Sequence, residues 1–283
     1  MVRQALPLTG LTVAVTAERR GEDFAASLVR NGATVRHAPA IRMIPLADDA
    51  ELKRATRAVL QAPPDIVVAT TAVGFRGWLE AAENWGHGDQ LRGVLQGSRV
   101  LARGPKTTGA VRAAGLREQW SPEGESSAEV VQQLQAEGVV GLRIAVQLHG
   151  ADTQTQYDVC AELRGLGAEV VAVPVYRWTL PSDPAPMDRL IEACFAGEID
   201  AVTFTSAAAV AGMLGRAEAT GVPARLLDVL RGGGLLVVCV GSVTAAPLQA
   251  LGVATVQPPR ARLGALARYV VETLPAHRSA RPQ

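Results

Sequence analysis

LRIAVQLHGADTQTQYDVCAELRGLGAEVVAVPVYRW, Leu142–Trp178, reads as one β-α-β unit. The apolar run Ile144–Leu148 predicts a strand, and His149-Gly150 turns the chain. A helix is expected over about Thr155–Leu166, stopped by Gly167, with a second strand over Glu169–Val173. The same order of features occurs near the start, in LTVAVTAERRGEDFAASLVRNGATVRHAPAIR, Leu11–Arg42. Gly32 and Gly167, Pro39 and Pro174, and Arg42 and Arg177 each lie 135 positions apart (167−32, 174−39, 177−42). One spacing shared by three landmarks points to duplication of a single unit, and a repeat decides the architecture before any single motif does.

Outward from these two copies, short apolar runs alternate with helical stretches. Strands are predicted at Leu11–Thr16, Thr34–His37, Asp65–Ala69, Ser98–Ala102, Ile199–Phe204 and Leu235–Val240. Helices are predicted over Asp48–Leu60, Gly74–Glu83, Thr107–Ala114, Ala128–Glu137, Met187–Ala196, Ala207–Arg216, Ala224–Leu230 and Leu263–Leu274. Pro275–Gln283 reads as a polar tail, and the proline-marked stretch Ala38–Ile41 as a crossing between domains. The fold class is therefore α/β, two similar parallel-sheet domains from an internal duplication. In open sheets of this kind ligands bind beyond the carboxyl ends of the strands, where this chain places small polar residues.

The bulk composition sets limits. With 283 residues and 48% apolar content, the chain can build two moderate cores, and a net charge of +1 gives no electrostatic case for nucleic acid or a membrane surface. Lys53 and Lys106 are the only lysines, so the positive charge is almost all arginine. That follows from a GC-rich genome, or from bidentate recognition of carboxylates. Cys160, Cys194 and Cys239 have no metal-ligand spacing and read as small apolar residues of a reduced, cytoplasmic chain. No signal peptide, membrane span, dinucleotide loop, Walker A loop or metal-ligand cluster is found. His37, His87, His149 and His277 are scattered; His149, at a strand-end loop, is the one with a candidate ligand contact.

Two pairs of repeated loops carry the chemistry. Ala69-Thr70-Thr71-Ala72-Val73 matches Phe204-Thr205-Ser206-Ala207-Ala208, and Ala102-Arg103-Gly104-Pro105-Lys106-Thr107 matches Val240-Gly241-Ser242-Val243-Thr244. Gly104 and Gly241 lie 137 positions apart (241−104), as do Gly115 and Gly252 (252−115). Glycine and hydroxyl residues opening a helix present backbone N–H groups and the positive end of the dipole, which suits phosphate or carboxylate. The other reading of the same hydroxyls is helix N-capping. Tyr176, just past Pro174 at the second crossing, is either a packed aromatic or a phenol able to donate a proton.

This combination resembles uroporphyrinogen-III synthase. The resemblance is carried by Val175-Tyr176-Arg177, the paired Thr/Ser loops, the Gly104 and Gly241 loops and Pro39-Ala40-Ile41, and spans about Leu11 to Leu274. ATTAVGFRGWLEAA (69–82) and ARGPKTTGAVRAAGL (102–116) look like its bacterial, Thermus-like and actinobacterial branch. The resemblance implies two α/β domains joined by a two-strand crossing linker: residues 1–38 with 178–275, and residues 42–174, followed by a polar tail, 276–283. Their loop tips are expected to face a common gap. It further implies closure of the linear tetrapyrrole hydroxymethylbilane to uroporphyrinogen III, with loss of water and inversion of ring D, and with no metal or cofactor.

Carried over by position, Tyr176 matches the family tyrosine assisting hydroxyl departure as general acid. Thr244 matches the hydroxyl of the family's Gly-x-x-Thr loop. Arg19, Thr70, Thr71, Arg103, Gly104, Lys106, Thr107, His149, Thr205, Ser206, Gly241 and Ser242 are expected to line the cleft and hold substrate carboxylates. The chain departs from many members at His149-Gly150-Ala151-Asp152, where they carry a basic Arg-Gly loop. A monomer is expected, with transient contact to hydroxymethylbilane synthase as its partner. A second class of function is a non-catalytic tetrapyrrole- or acidic-ligand-binding regulatory domain, derived from a synthase/DNA-binding fusion; a third is a periplasmic-binding-like module.

Overall fold

In a computed structural model of the chain, residues 6–47, 49–148 and 158–280 are described. The chain forms two compact units, Met1–Arg42 with Thr179–Gln283 (unit 1) and Met43–Trp178 (unit 2). In chain order, β1 (Thr12–Val15), α1 (Gly21–Arg30) and β2 (Thr34–His37) open unit 1, and β3 (Arg42–Pro45) leads out of it. Unit 2 continues with α2 (Ala50–Gln61), β4 (Ile66–Ala69), α3 (Ala72–Asn84), α4 (Gly88–Gly97), β5 (Arg99–Ala102) and α5 (Pro105–Ala113). Then come β6 (Glu118–Trp120), α6 (Ser127–Glu137), β7 (Arg143–Gln147), α7 (Val159–Gly165), β8 (Glu169–Val173) and β9 (Tyr176–Thr179). Back in unit 1 are α8 (Ala185–Phe195), β10 (Ala201–Phe204), α9 (Ala207–Ala219), α10 (Pro223–Arg231), β11 (Leu236–Cys239), α11 (Ser242–Ala250) and α12 (Leu263–Ser279).

Unit 1 holds a four-stranded sheet in the order β11-β10-β1-β2, and unit 2 a five-stranded sheet in the order β6-β5-β4-β7-β8. Every named pairing within them is parallel. The strands β3 and β9, where the chain crosses between units, pair in a two-stranded sheet of their own.

The repeat survives as register. β1 with β2 pairs Thr12 to Thr34, and β7 with β8 pairs Arg143 to Glu169. Val13 pairs with Ala201 in unit 1 as Ile144 pairs with Ile66 in unit 2. Ala201 pairs with Leu236 as Ile66 pairs with Arg99. Even β6 has a counterpart, because Val256 forms an isolated parallel bridge to Val238 of β11. The two copies differ in chain order: the strands that open unit 1 correspond to the strands that close the sheet of unit 2. The paired glycines also agree, Gly32 and Gly167 at φ 95° and 86°, Gly115 and Gly252 at 76° and 75°. Each follows a helix in the left-handed conformation that glycine adopts without a Cβ clash.

Alternation along the buried strands serves both sheet faces. In β4, Val67 and Ala69 join the cluster around Phe75, Trp78 and Leu91. Ile66 and Val68 join the opposite cluster, with Leu101, Leu134 and Ile144. Parallel strands covered on both faces read as continuous apolar runs for this reason. In unit 1, Val13 and Val15 pack with Phe24, Leu28, Leu266 and Val270. Cys160, Cys194 and Cys239 are buried and free. Burial pushes the first thiol up to about 11 and the others to about 12. Among the described residues no helix is long and apolar enough to cross a membrane.

Three points differ from the sequence reading. The last helix does not stop at Leu274: α12 continues through Pro275 to Ser279, so residues 276–279 are helical and not a polar tail. Leu274 is fully buried, and the Arg278 guanidinium donates to Asp200 Oδ1 at 2.6 Å. Those anchors outweigh the one backbone donor that proline removes. Second, α4 was not anticipated, its pattern being obscured by Gly88, Gly93 and Gly97; Leu91 and Leu95, one turn apart, are its buried face. Third, the helix expected over about Thr155–Leu166 runs over Val159–Gly165, beginning after the Asp158 carboxylate that caps it on the Ala161 N–H.

Candidate active site

Neighbouring strands β4 and β7 end together, with Ala69 paired to Gln147. Beyond that pair the sheet stops, and the backbone of Thr70 and Thr71 needs new hydrogen-bond partners. Gln147, whose residue is fully buried, supplies them. Its Oε1 accepts the N–H groups of Thr70 and Thr71 at 3.2 and 3.1 Å, and its backbone carbonyl accepts the Thr70 hydroxyl at 2.6 Å. Its Nε2 donates to the Leu148 carbonyl and lies 3.5 Å from Thr71 Oγ1. Leaving such buried groups unpaired costs about 1–3 kcal/mol each, so the amide holds the loop firmly.

Thr71 is the N-cap of α3, its Oγ1 accepting the Gly74 N–H at 3.1 Å. The same oxygen lies 3.3 Å from Tyr176 Oη. Tyr176 itself is 5% exposed and packs edge-to-face on Trp178, with ring centroids 5.5 Å apart. Val175, just before it, approaches α3 at Gly77, where a Cβ would meet Val175 Cγ1 at 3.1 Å. The capping and functional readings of Thr71 are thus compatible, since one hydroxyl caps the helix and touches the phenol.

The next strand end adds a cation. The Arg103 N–H donates to the Ala69 carbonyl at 2.9 Å, extending β5 alongside β4. Desolvation pulls the half-buried Arg103 guanidinium below its ordinary value, opposed by the negative charge that Tyr176 would carry as a phenolate and by that of Glu125. Gly104 caps α5 in an extended conformation, and a Cβ there would meet Glu125 Cγ at 3.2 Å. Thr107 is buried, with its hydroxyl 3.5 Å from the Thr70 carbonyl, whereas Lys106 is exposed. Tyr176, Thr70, Thr71, Arg103, Gly104 and Thr107 therefore form one cluster in unit 2.

Unit 1 repeats the frame with different contents. Ser206 caps α9 by accepting the Ala209 N–H at 3.1 Å, and Thr205 beside it is partly exposed. Val240 donates to the Phe204 carbonyl at 2.9 Å, the same bond that Arg103 makes in unit 2. Gly241 caps α11, where a Cβ would meet Ala261 Cβ at 3.1 Å; Ser242 is exposed and Thr244 buried. Arg19 is exposed in the loop after β1, next to Arg20, which takes the left-handed φ of 56° and bonds Asp23. His149 lies outside the described residues.

Three positions separate the copies. Tyr176 corresponds to Ile41 (176−135), Gln147 to Thr16 (147−131) and Arg103 to Val240 (240−103 = 137). Among the described residues, these three positions give unit 2 a phenol, an amide and a guanidinium around its hydroxyl loop, and unit 1 none of them. Gln147 and Glu125 were not among the residues singled out from the sequence. A signal for Gln147 existed, in that a lone polar residue closes the buried run Ile144–Val146. Glu125 gave none, because its φ of 56° and its approach to Gly104 are properties of the folded loop.

The model of the family uroporphyrinogen-III synthase HemD matches residues 22–268. Among solved structures, a mutant uroporphyrinogen III synthase from the extremely thermophilic bacterium Thermus thermophilus superposes with a TM-score of 0.76 at 30% identity, covering 94% of this chain and 99% of that one. The YjjA protein of Bacillus subtilis (strain 168) is 26% identical over 270 residues, 94% of this chain and 98% of its own. A putative uroporphyrinogen-III synthase of Methanothermobacter thermautotrophicus is 29% identical over 161 residues, 57% of this chain and 61% of its own. With the family model covering both units and the doubled parallel sheets matching a solved member, this chain belongs to the uroporphyrinogen-III synthase family.

Proposed function

We propose that this chain is a cyclising lyase that closes hydroxymethylbilane to uroporphyrinogen III, with loss of water and inversion of ring D. The observation that carries this reading is the family match across residues 22–268. The uninverted isomer forms without an enzyme, so the protein's task is to choose geometry and stabilise charge. Tyr176 donates a proton to the departing terminal hydroxyl, which leaves a conjugated cation on ring A. Ring D then attacks through its substituted carbon, and fragmentation of the spiro intermediate with re-closure leaves it inverted. The buried contact of Tyr176 with Thr71 and the nearby Arg103 charge support this assignment.

Substrate carboxylates are held by Arg103, Gly104, Lys106 and Thr107 in unit 2; Thr70 and Thr71, expected from the sequence to hold them as well, turn their donors to Gln147 and Tyr176 and shape the loop instead. In unit 1 Arg19, Thr205, Ser206, Gly241, Ser242 and Thr244 hold substrate carboxylates. Helix N-termini at α3, α5, α9 and α11 open these loops, and their N–H groups suit anions. The enzyme works as a cytoplasmic monomer, with transient contact to hydroxymethylbilane synthase. The test is incubation with enzymatically generated hydroxymethylbilane and separation of the oxidised isomers. Type III in excess is expected; type I alone, as in the absence of protein, overturns the reading.

A further inference from the structure

The neighbours of Gln147 fix which way its carboxamide points. Two backbone N–H groups, of Thr70 and Thr71, converge on one terminal atom at 3.2 and 3.1 Å, so that atom is the oxygen. The other faces the Leu148 carbonyl, which requires a donor. The amide nitrogen thus placed lies 3.5 Å from Thr71 Oγ1. A threonine hydroxyl accepts two hydrogen bonds and donates one. At Thr71 one acceptor position takes the Gly74 N–H at 3.1 Å, and the second faces the Gln147 amide. The Thr71 O–H is then left to donate to Tyr176 Oη, 3.3 Å away.

We infer that Gln147 is a positioning residue for the reaction: it fixes the Thr71–Tyr176 hydrogen bond with Thr71 as donor, so that the phenolic proton points away from Thr71 and is the one delivered. This rests on the reading of Tyr176 as proton donor. In the step, the Tyr176 O–H bond breaks and its proton goes to the substrate's terminal hydroxyl. The C–O bond breaks with its electron pair leaving on water, and the phenolate that remains accepts the Thr71 O–H. The proton released when the closing pyrrole regains aromaticity restores the phenol.

The duplication supports the inference independently. Gly74 leaves the room the amide fills, since a Cβ there would lie 2.6 Å from Gln147 Cδ. Its counterpart in unit 1 is Ala209 (209−135 = 74), capped by Ser206 as Gly74 is by Thr71. There the amide position is Thr16, whose hydroxyl donates to the Thr203 carbonyl at 2.8 Å, and the phenol position is Ile41. Glycine, glutamine and tyrosine occur together in the copy assigned the chemistry, and all three are replaced in the other.

The test is a double-mutant cycle on the full chain. Gln147→Met should lower kcat roughly 10-fold with KM changed less than about twofold, and should add no further loss in a Tyr176→Phe background. Equal losses in both backgrounds, or an unchanged kcat in the first, overturn the proposal. A Tyr176→Phe chain as fast as the parent instead removes the reading beneath it. Should Gln147→Met not fold, Gln147→Glu, of the same shape, decides. Its kcat should fall with rising pH through one new ionisation while circular dichroism holds, and a profile shaped like the parent's overturns the inference.

Discussion

Gly74 and Gln147 share one space: a Cβ built on the glycine would lie 2.6 Å from the glutamine Cδ and 2.8 Å from Thr71 Oγ1. Neither atom belongs to the free end of a flexible surface chain, because the amide is bonded to Thr70 and Thr71 and the hydroxyl caps α3. Gly74→Ala should therefore destabilise the fold by about 1–3 kcal/mol, the usual cost of overpacking, and lower kcat as well. Gly93→Ala, inside α4, places its Cβ in open space and should be neutral or stabilising by roughly 0.5–1 kcal/mol. Urea unfolding of the two variants checks this, and equal stabilities contradict it.

The doubled architecture was legible because helix-stopping glycines and crossing prolines keep their spacing under divergence, as at Gly32 and Gly167. The hydroxyl loops were legible as well, since Thr71 and Ser206 stand where an apolar strand gives way to a helix. Gln147 was harder to see. Its importance depends on β4 and β7 ending side by side, a contact between residues 77 positions apart in sequence. α4 was hidden for a different reason: three glycines weaken its intrinsic preference, and tertiary burial of Leu91 and Leu95 overrides it.

Arg278 ties the end of α12 to the sheet. Its partner Asp200 is 5% exposed and also accepts the Thr12 N–H at 2.8 Å, so the carboxylate secures the start of β1 too. Arg278→Ala should cost about 1–2 kcal/mol, the lower part of the range for a charged hydrogen bond because the arginine is half exposed. Thermal unfolding measures it. A melting temperature unchanged from the parent would show that residues past Leu274 contribute nothing.

Acid should loosen both units. Arg112 holds the Glu118 carboxyl below its usual range, Ser126 does so for Glu129, Arg99 for Glu137 and Arg216 for Asp188. A carboxyl whose folded value is depressed contributes stability above its unfolded value, about 4, and loses it as pH falls through the folded value. The melting temperature should hold between pH 7 and 5 and decline progressively below about pH 4. Denaturant midpoints across that window test the sign; a midpoint that rises on acidification contradicts it.

The assignment of the proton to Tyr176 is tested most directly by the initial rate of type III formation at saturating hydroxymethylbilane, for the parent chain and Tyr176→Phe. Removing one hydroxyl from a buried ring that stays packed on Trp178 should leave the far-ultraviolet spectrum intact and slow the reaction about 10²-fold. A Tyr176→Phe chain that forms type III as fast as its parent would contradict the account.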